Sequence, residues 1–295
     1  MRNFVIDPFP NEHVFSWLLR MYNLSGYGTF LDYQKSLGIN DRFLHANKVF
    51  SITTETLVNL MEDREDAIKS HTTVPLWQLS IGPILNNNKI SLGSFNHISE
   101  ELTFSFDTYW HSCDECRTED LDKYGTTYWH TPHQLPSIFT CYKHLCSLEK
   151  SLSPVRNLFE EIFPHDVNQW LPLLSAPNDI QTDWQSFYLY LNELSKVQVE
   201  SILKLKTRLF DILELESKSQ EERLKKARAQ SLRLESELPD SLLGYLFRDY
   251  HPKTKRTKKI DIVSASLVNL ARDNGERHPI FLSVLAYWQR AALNF

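Results

Sequence analysis

Cys113-Asp114-Glu115-Cys116 and Cys141-Tyr142-Lys143-His144 each set two donor side chains two residues apart, with 24 residues between the pairs. Zn2+ prefers four nitrogen or sulfur donors in a tetrahedron, and the short spacing lets each pair turn both donors onto one ion. The two knuckles therefore predict one Zn2+ site with Cys113, Cys116, Cys141 and His144 as ligands. Cys146 competes with His144 for the fourth position, because a C-x4-C spacing also reaches. Every four-ligand version closes the metal's shell and leaves no position for water, so the expected role is structural and not hydrolytic. The bland alternative is a set of free cysteines with a chance histidine. It is hard to square with two such pairs in one short segment.

The remaining chemistry is sparse. All four cysteines lie between Cys113 and Cys146, too clustered to staple the whole chain as a disulfide framework would. His111, His130 and His133 are near the knuckles, but Tyr128-Trp129-His130-Thr131-Pro132-His133-Gln134-Leu135-Pro136 reads as a packed loop whose histidines hydrogen-bond. No Ser-His-Asp set, phosphate loop or H-E-x-x-H pattern accompanies them, and the chain reads as non-enzymatic.

The elements that must position the site are helical. The chain has 295 residues, 42% hydrophobic and 23% charged, which is ordinary for a globular protein of one large or two to three small domains. Eight glycines against 7 Trp, 12 Tyr and 17 Phe disfavour Gly-rich nucleotide loops and hairpin-dense sheets. No run approaches the roughly 20 apolar residues that span a bilayer, and the start lacks a signal-peptide core. We therefore expect an intracellular protein without a membrane partner. The fold class expected is mainly α: a helical, helix-turn-helix-like N-terminal domain over residues 1–97, a zinc-finger or zinc-ribbon module over 98–150, a segment with long helices over 151–238 and a small basic helix-turn-helix-like unit over 239–295.

Within the first domain, Val14, Trp17, Leu18 and Met21 recur at helical spacing, with Asn11 placed to cap the helix and Ser25-Gly26-Tyr27-Gly28 to end it. Phe30 to Leu37 and Thr54 to Met61 read as short helices, the second capped by Thr53 or Thr54. From Trp184 a helical pattern runs without proline to Pro239, apolar at Phe187, Leu191, Leu194, Ile202, Leu205, Leu209 and Ile212, then charged from Ser219 to Glu237. A helical hairpin with a solvated tip is the plainest reading. Asp240 or Ser241 is placed to cap a helix through Phe247, and Ile262 to Leu270 and Ile280 to Leu293 complete the last unit.

The net charge of −5 argues against coating nucleic acid by bulk attraction. Charge is nevertheless uneven: Ser219 to Lys259 holds eleven Lys and Arg against six Asp and Glu. Lys225, Lys226, Arg228, Lys253, Lys255, Arg256, Lys258 and Lys259 are the candidates for phosphate contact, which would position a nucleic acid without reading its bases.

These residues carry a resemblance. Cys113-Asp114-Glu115-Cys116, Tyr124-Gly125, Tyr128-Trp129-His130, His133-Gln134-Leu135-Pro136 and Cys141-Tyr142-Lys143-His144-Leu145 resemble the zinc-finger signature of the TniQ family, which includes the TnsD target selectors. Pro8-Phe9-Pro10-Asn11-Glu12, then Phe15-Ser16-Trp17-Leu18-Leu19-Arg20 and Ser25-Gly26, are similar to the family's opening helix, so the likeness covers about the first 150 residues. Leu243-Gly244-Tyr245-Leu246-Phe247-Arg248 and His278-Pro279 are similar, more weakly, to the downstream helices of TnsD-type members. The resemblance implies a bacterial, cytoplasmic adaptor, nucleoid-associated when engaged, that chooses a transposition site and recruits a TnsC-like AAA+ ATPase regulator. It implies two routes to the target. One is docking on an RNA-guided CRISPR effector complex, which shortness and net acidity favour; the other is direct, TnsD-like recognition of an attachment site in duplex DNA. A zinc-containing transcription regulator is a remoter reading, and a homodimer is compatible with each. For the ATPase contact the resemblance points to Trp17 and Arg20. Trp17 and Leu18 also fit a core role, which leaves Arg20 as the surface candidate.

Overall fold

The computed structural model describes residues 5–40, 49–82, 84, 91–95, 104, 108–152, 163–174, 176–215, 219–248, 250, 267 and 278–295. It is mainly helical, and the chain divides into two compact units. The first comprises Met1–Val74, Asn88–Leu102 and Phe106–Pro177; the second comprises Pro75–Asn87, Thr103–Ser105 and Asn178–Phe295. Among the described residues, no helix is long and apolar enough to cross a membrane.

In the first unit, α1 (Val14–Ser25) buries Val14, Phe15, Trp17, Leu18, Leu19 and Met21. Its cap is His13, whose Nδ1 accepts from the Phe15 amide, and Gly26 ends it at φ 73°, a left-handed conformation that glycine adopts without Cβ strain. Asn11, the expected cap, stands two residues earlier at φ 56°. The helices α2 (Phe30–Ser36), α3 (Ile52–Leu60) and α4 (Arg64–His71) are capped by Thr29, Ser51 and Asp63. Ser51 takes the place expected for Thr53 or Thr54: its Oγ accepts from the Thr54 amide at 2.9 Å, so α3 begins two residues earlier, at Ile52. Helix α5 (Val74–Ile81) follows, and its residues from Pro75 onward belong to the second unit.

The rest of the first unit surrounds the knuckles. Helix α6 (Asp114–Tyr124) stops at Gly125, φ 70°. A small antiparallel sheet, β1 (His111–Ser112), β2 (Glu149–Ser151) and β3 (Trp170–Pro172), pairs His111 with Lys150 and Lys150 with Leu171. Arg117 ties α6 to this sheet, bonding Asp114 at 2.8 Å and Glu149 at 2.6 Å with its guanidinium over the Trp170 ring.

The opening segment and the loop between the knuckles are zipped together. His13 N donates to Trp129 O at 2.7 Å, Thr131 N to Asn11 O at 2.7 Å, Trp129 N to Ser16 Oγ at 3.0 Å and Tyr128 OH to Pro10 O at 3.1 Å. Trp129 stacks on Trp110, and both are buried. The left-handed turn at Asn11 thus has a purpose: it presents a carbonyl to the loop between the cysteine pairs.

In the second unit the long helical pattern resolves into α7 (Asp179–Val197), α8 (Val199–Ile212) and α9 (Gln220–Glu237). Gln198, at φ −132° and ψ 60°, breaks the first junction, and Glu214 turns left-handed beyond α8. Asn178 and Gln181 form a reciprocal capping box at the start of α7. Helix α7 packs on α8, with Leu191, Ile202 and Leu209 of the expected stripe wholly buried together with Trp184 and Tyr188, while Ile212 is only partly buried. Helices α10 (Asp240–Leu246), α11 (Pro279–Trp288) and α12 (Arg290–Leu293) complete the unit. Pro239, not Asp240 or Ser241, occupies the cap position of α10. Tyr287 of α11 meets Trp184 edge-on and donates to Asp183 at 2.6 Å. The predicted helix Ile262 to Leu270 lies outside the described residues except for Leu267, which is helical and buried.

Candidate metal centre

The first knuckle is the start of a helix. Cys113 is the N-cap of α6, yet its side chain makes no cap hydrogen bond, and Cys116 follows one turn on. A helix N-terminus favours negative charge, so a thiolate at Cys113 is well placed. The second knuckle is a tight hairpin: Leu145 N donates to Cys141 O at 2.9 Å, Cys141 N to Cys146 O at 2.8 Å, and Leu148 N to Phe139 O at 2.9 Å, with Leu145 left-handed at φ 58°.

These two elements bring Cys113, Cys116, Cys141 and His144 together, their ligand atoms all within 4.8 Å of one another. His144 Nδ1 lies 3.3, 3.4 and 3.7 Å from the sulfurs of Cys113, Cys116 and Cys141, and the Cys116 and Cys141 sulfurs are 3.7 Å apart. Donors about 2.3 Å from a central ion in a tetrahedron stand about 3.8 Å from one another, so the donor atoms fit around one small metal ion. The three cysteines are buried and His144 is partly so. Cys146 Sγ is also 3.3 Å from Cys113 Sγ but falls outside the mutually close set.

Electrostatics point the same way. Hydrogen bonds from Cys116 and Cys141 hold the Cys113 thiol far below its usual range, while the bond to Cys113 holds Cys116 far above and raises Cys141. Burial pushes Cys146 up to about 12. Three thiolates at these distances would repel one another and require a cation among them.

Residues the spacing did not single out support the cluster. Glu119 Oε1 accepts from His144 Nε2 at 3.1 Å, and its other oxygen meets the Lys143 ammonium. Its signal was present as a second step of three residues, Cys113, Cys116, Glu119. Of the extra histidines, His130 donates from Nε2 to the buried Asp120 at 2.8 Å and stacks on Tyr128. His111 reaches the His133 carbonyl, and His133, fully buried and pushed well below its usual range by desolvation, places Nε2 3.9 Å from Cys116 Sγ. None of the three is part of the four-donor set.

Compared with known families, residues 3–148 match the TniQ model. The chain carries a TniQ domain. No curated protein matches the chain. The TniQ domain marks a transposition-associated protein, and the matched span contains both the opening helix and every donor of the cluster.

The other singled-out residues fall elsewhere. Trp17 is wholly buried in the TniQ domain and donates from Nε1 to Ile6 O at 2.7 Å. Arg20, expected at the surface, is buried too: it makes a two-armed ion pair with Glu12 at 3.0 and 2.7 Å and lies over the Phe9 ring. The burial of Arg20 has a physical reason, since Glu12 has no solvent and needs a fork of donors, which arginine supplies. Lys225 and Arg228 are exposed on α9, while Lys226 is half-buried and 3.6 Å from Glu222. Lys253, Lys255, Arg256, Lys258 and Lys259 lie outside the described residues.

Two substitutions separate the rival fourth ligands. His144→Cys should keep one metal per chain, because a thiolate replaces an imidazole, and Cys146→Ser should be nearly silent. Metal content after dialysis reads both. Loss of metal on Cys146→Ser with retention on His144→Ala would give the position to Cys146.

Proposed function

We propose that the chain is a non-enzymatic adaptor of transposition whose TniQ domain is held together by one structural Zn2+ on Cys113, Cys116, Cys141 and His144. It docks on an RNA-guided effector complex and recruits an AAA+ ATPase regulator, so directing where DNA is inserted in the bacterial cytoplasm. The observation that carries this reading is the coincidence of the TniQ match with a four-donor cluster inside it. A zinc ion with four protein ligands holds no water to activate; here it would supply fold stability. The chain's own groups do the positioning, with α6 and the Cys141 hairpin aiming the donors and Arg117 tying α6 to the sheet.

A second reading, direct TnsD-like recognition of duplex DNA, draws on the exposed Lys225 and Arg228 and on the basic run from Lys253 to Lys259. Binding to random and attachment-site duplexes across a salt series, with and without the effector complex, decides between them. The adaptor reading expects weak, salt-sensitive duplex binding and firm effector capture. Tight, sequence-selective duplex binding by the chain alone would contradict it.

A further inference from the structure

We infer that Glu119 is a positioning residue of the metal centre, which holds the His144 ring so that Nδ1, and not the Cys146 thiol, completes the donor set. This rests on the metal reading above. The ring of His144 is clamped at both ends: Nδ1 faces three sulfurs at 3.3 to 3.7 Å, and Nε2 donates to Glu119 Oε1 at 3.1 Å. An imidazole that donates from Nε2 has Nδ1 free as a ligand lone pair, so the carboxylate selects the tautomer that binding needs.

Glu119 is itself held. It lies on α6 one turn beyond Cys116, so a single helix delivers two thiols and the carboxylate behind the imidazole. The ammonium of Lys143, the residue next to His144, bonds its second oxygen. That bond leaves the first oxygen for the ring. Cys146 Sγ stands as near to Cys113 Sγ as His144 Nδ1 does, 3.3 Å, but only His144 belongs to the mutually close donor set, which is the arrangement the clamp holds. The carboxylate is about half exposed, so its removal leaves no buried charge behind.

The test is Co2+ titration of the full chain, read by its visible absorption, for the wild type, Glu119→Ala, Glu119→Gln, His144→Cys and the double variant Glu119→Ala/His144→Cys. The wild type should give the spectrum of three thiolates and one imidazole. Glu119→Ala should weaken Co2+ binding about 10–100-fold, the usual cost of losing such an outer partner, and Glu119→Gln, which keeps an acceptor oxygen for Nε2, should recover part of it. On the His144→Cys background there is no ring to orient, so Glu119→Ala should change affinity less than about 2-fold. Equal losses in both backgrounds, no loss in the wild type, or a four-thiolate spectrum in the wild type would overturn the inference. A wild type that binds no Co2+ would instead remove the metal reading on which it rests.

Discussion

Cys113→Ala should lose the metal and unfold the first compact unit. Cys113 sits at the start of α6, wholly buried, and touches both the His144 nitrogen and the Cys146 sulfur. The free energy of a structural zinc site is on the order of 10 kcal/mol or more, as large as the stability of a whole domain of about 5–15 kcal/mol, so little is left to hold the unit without it. The sheet is only two to three residues per strand, and α6 and the Cys141 hairpin meet at the donors and at the surface bonds of Glu119. Strong chelation of the wild type should act likewise. Near-ultraviolet circular dichroism of the stacked Trp110 and Trp129 pair reports the change. A metal-free Cys113→Ala protein that stays soluble and unfolds cooperatively at the wild-type midpoint would sink the structural role.

The second large effect is expected at Arg20→Ala. Glu12 is wholly buried and accepts from Arg20 Nε and Nη2, the Phe9 amide and the Ser16 hydroxyl, while Arg20 also donates to Asp7 O at 2.7 Å. Truncating the arginine strands a carboxylate away from water, and breaking such a pair costs about 3–5 kcal/mol. Glu12 is also where the opening segment meets its neighbours, since His71 Nδ1 donates to its carbonyl at 2.6 Å and its backbone bridges to His130. Removing both charges together, Glu12→Gln with Arg20→Met, should cost less than Arg20→Ala alone, because nothing charged is then left buried. Urea unfolding at constant m measures both. A loss below about 1 kcal/mol for Arg20→Ala, the size of an exposed pair, would contradict this account.

How legible this was in the sequence depended on the range of the interaction. The four donors were readable because metal chemistry restricts residue type and spacing together, and the apolar stripe of α7 and α8 because burial repeats at helical period. Caps were read one to three residues off, at Asn11 instead of His13 and at Thr53 or Thr54 instead of Ser51, since several polar residues in a row satisfy the same local rule. The break at Gln198 carries no glycine or proline and left no mark in the pattern. Arg20 was misplaced because an arginine on a helix is ordinarily solvated. Its burial follows from Glu12 eight residues away, a pairing that no helical period announces. The strands are only two or three residues long, and the bonds between Asn11, His13, Ser16 and the Trp129 loop join residues more than a hundred positions apart, so neither has a local signal.

Zinc K-edge X-ray absorption on the chain as purified, with metal content measured on the same sample, tests the central claim most directly. The account predicts one zinc per chain with three sulfurs at about 2.3 Å and one nitrogen at about 2.0–2.1 Å. A protein without metal, or an ion with fewer than three sulfurs and a bound water oxygen, would contradict it.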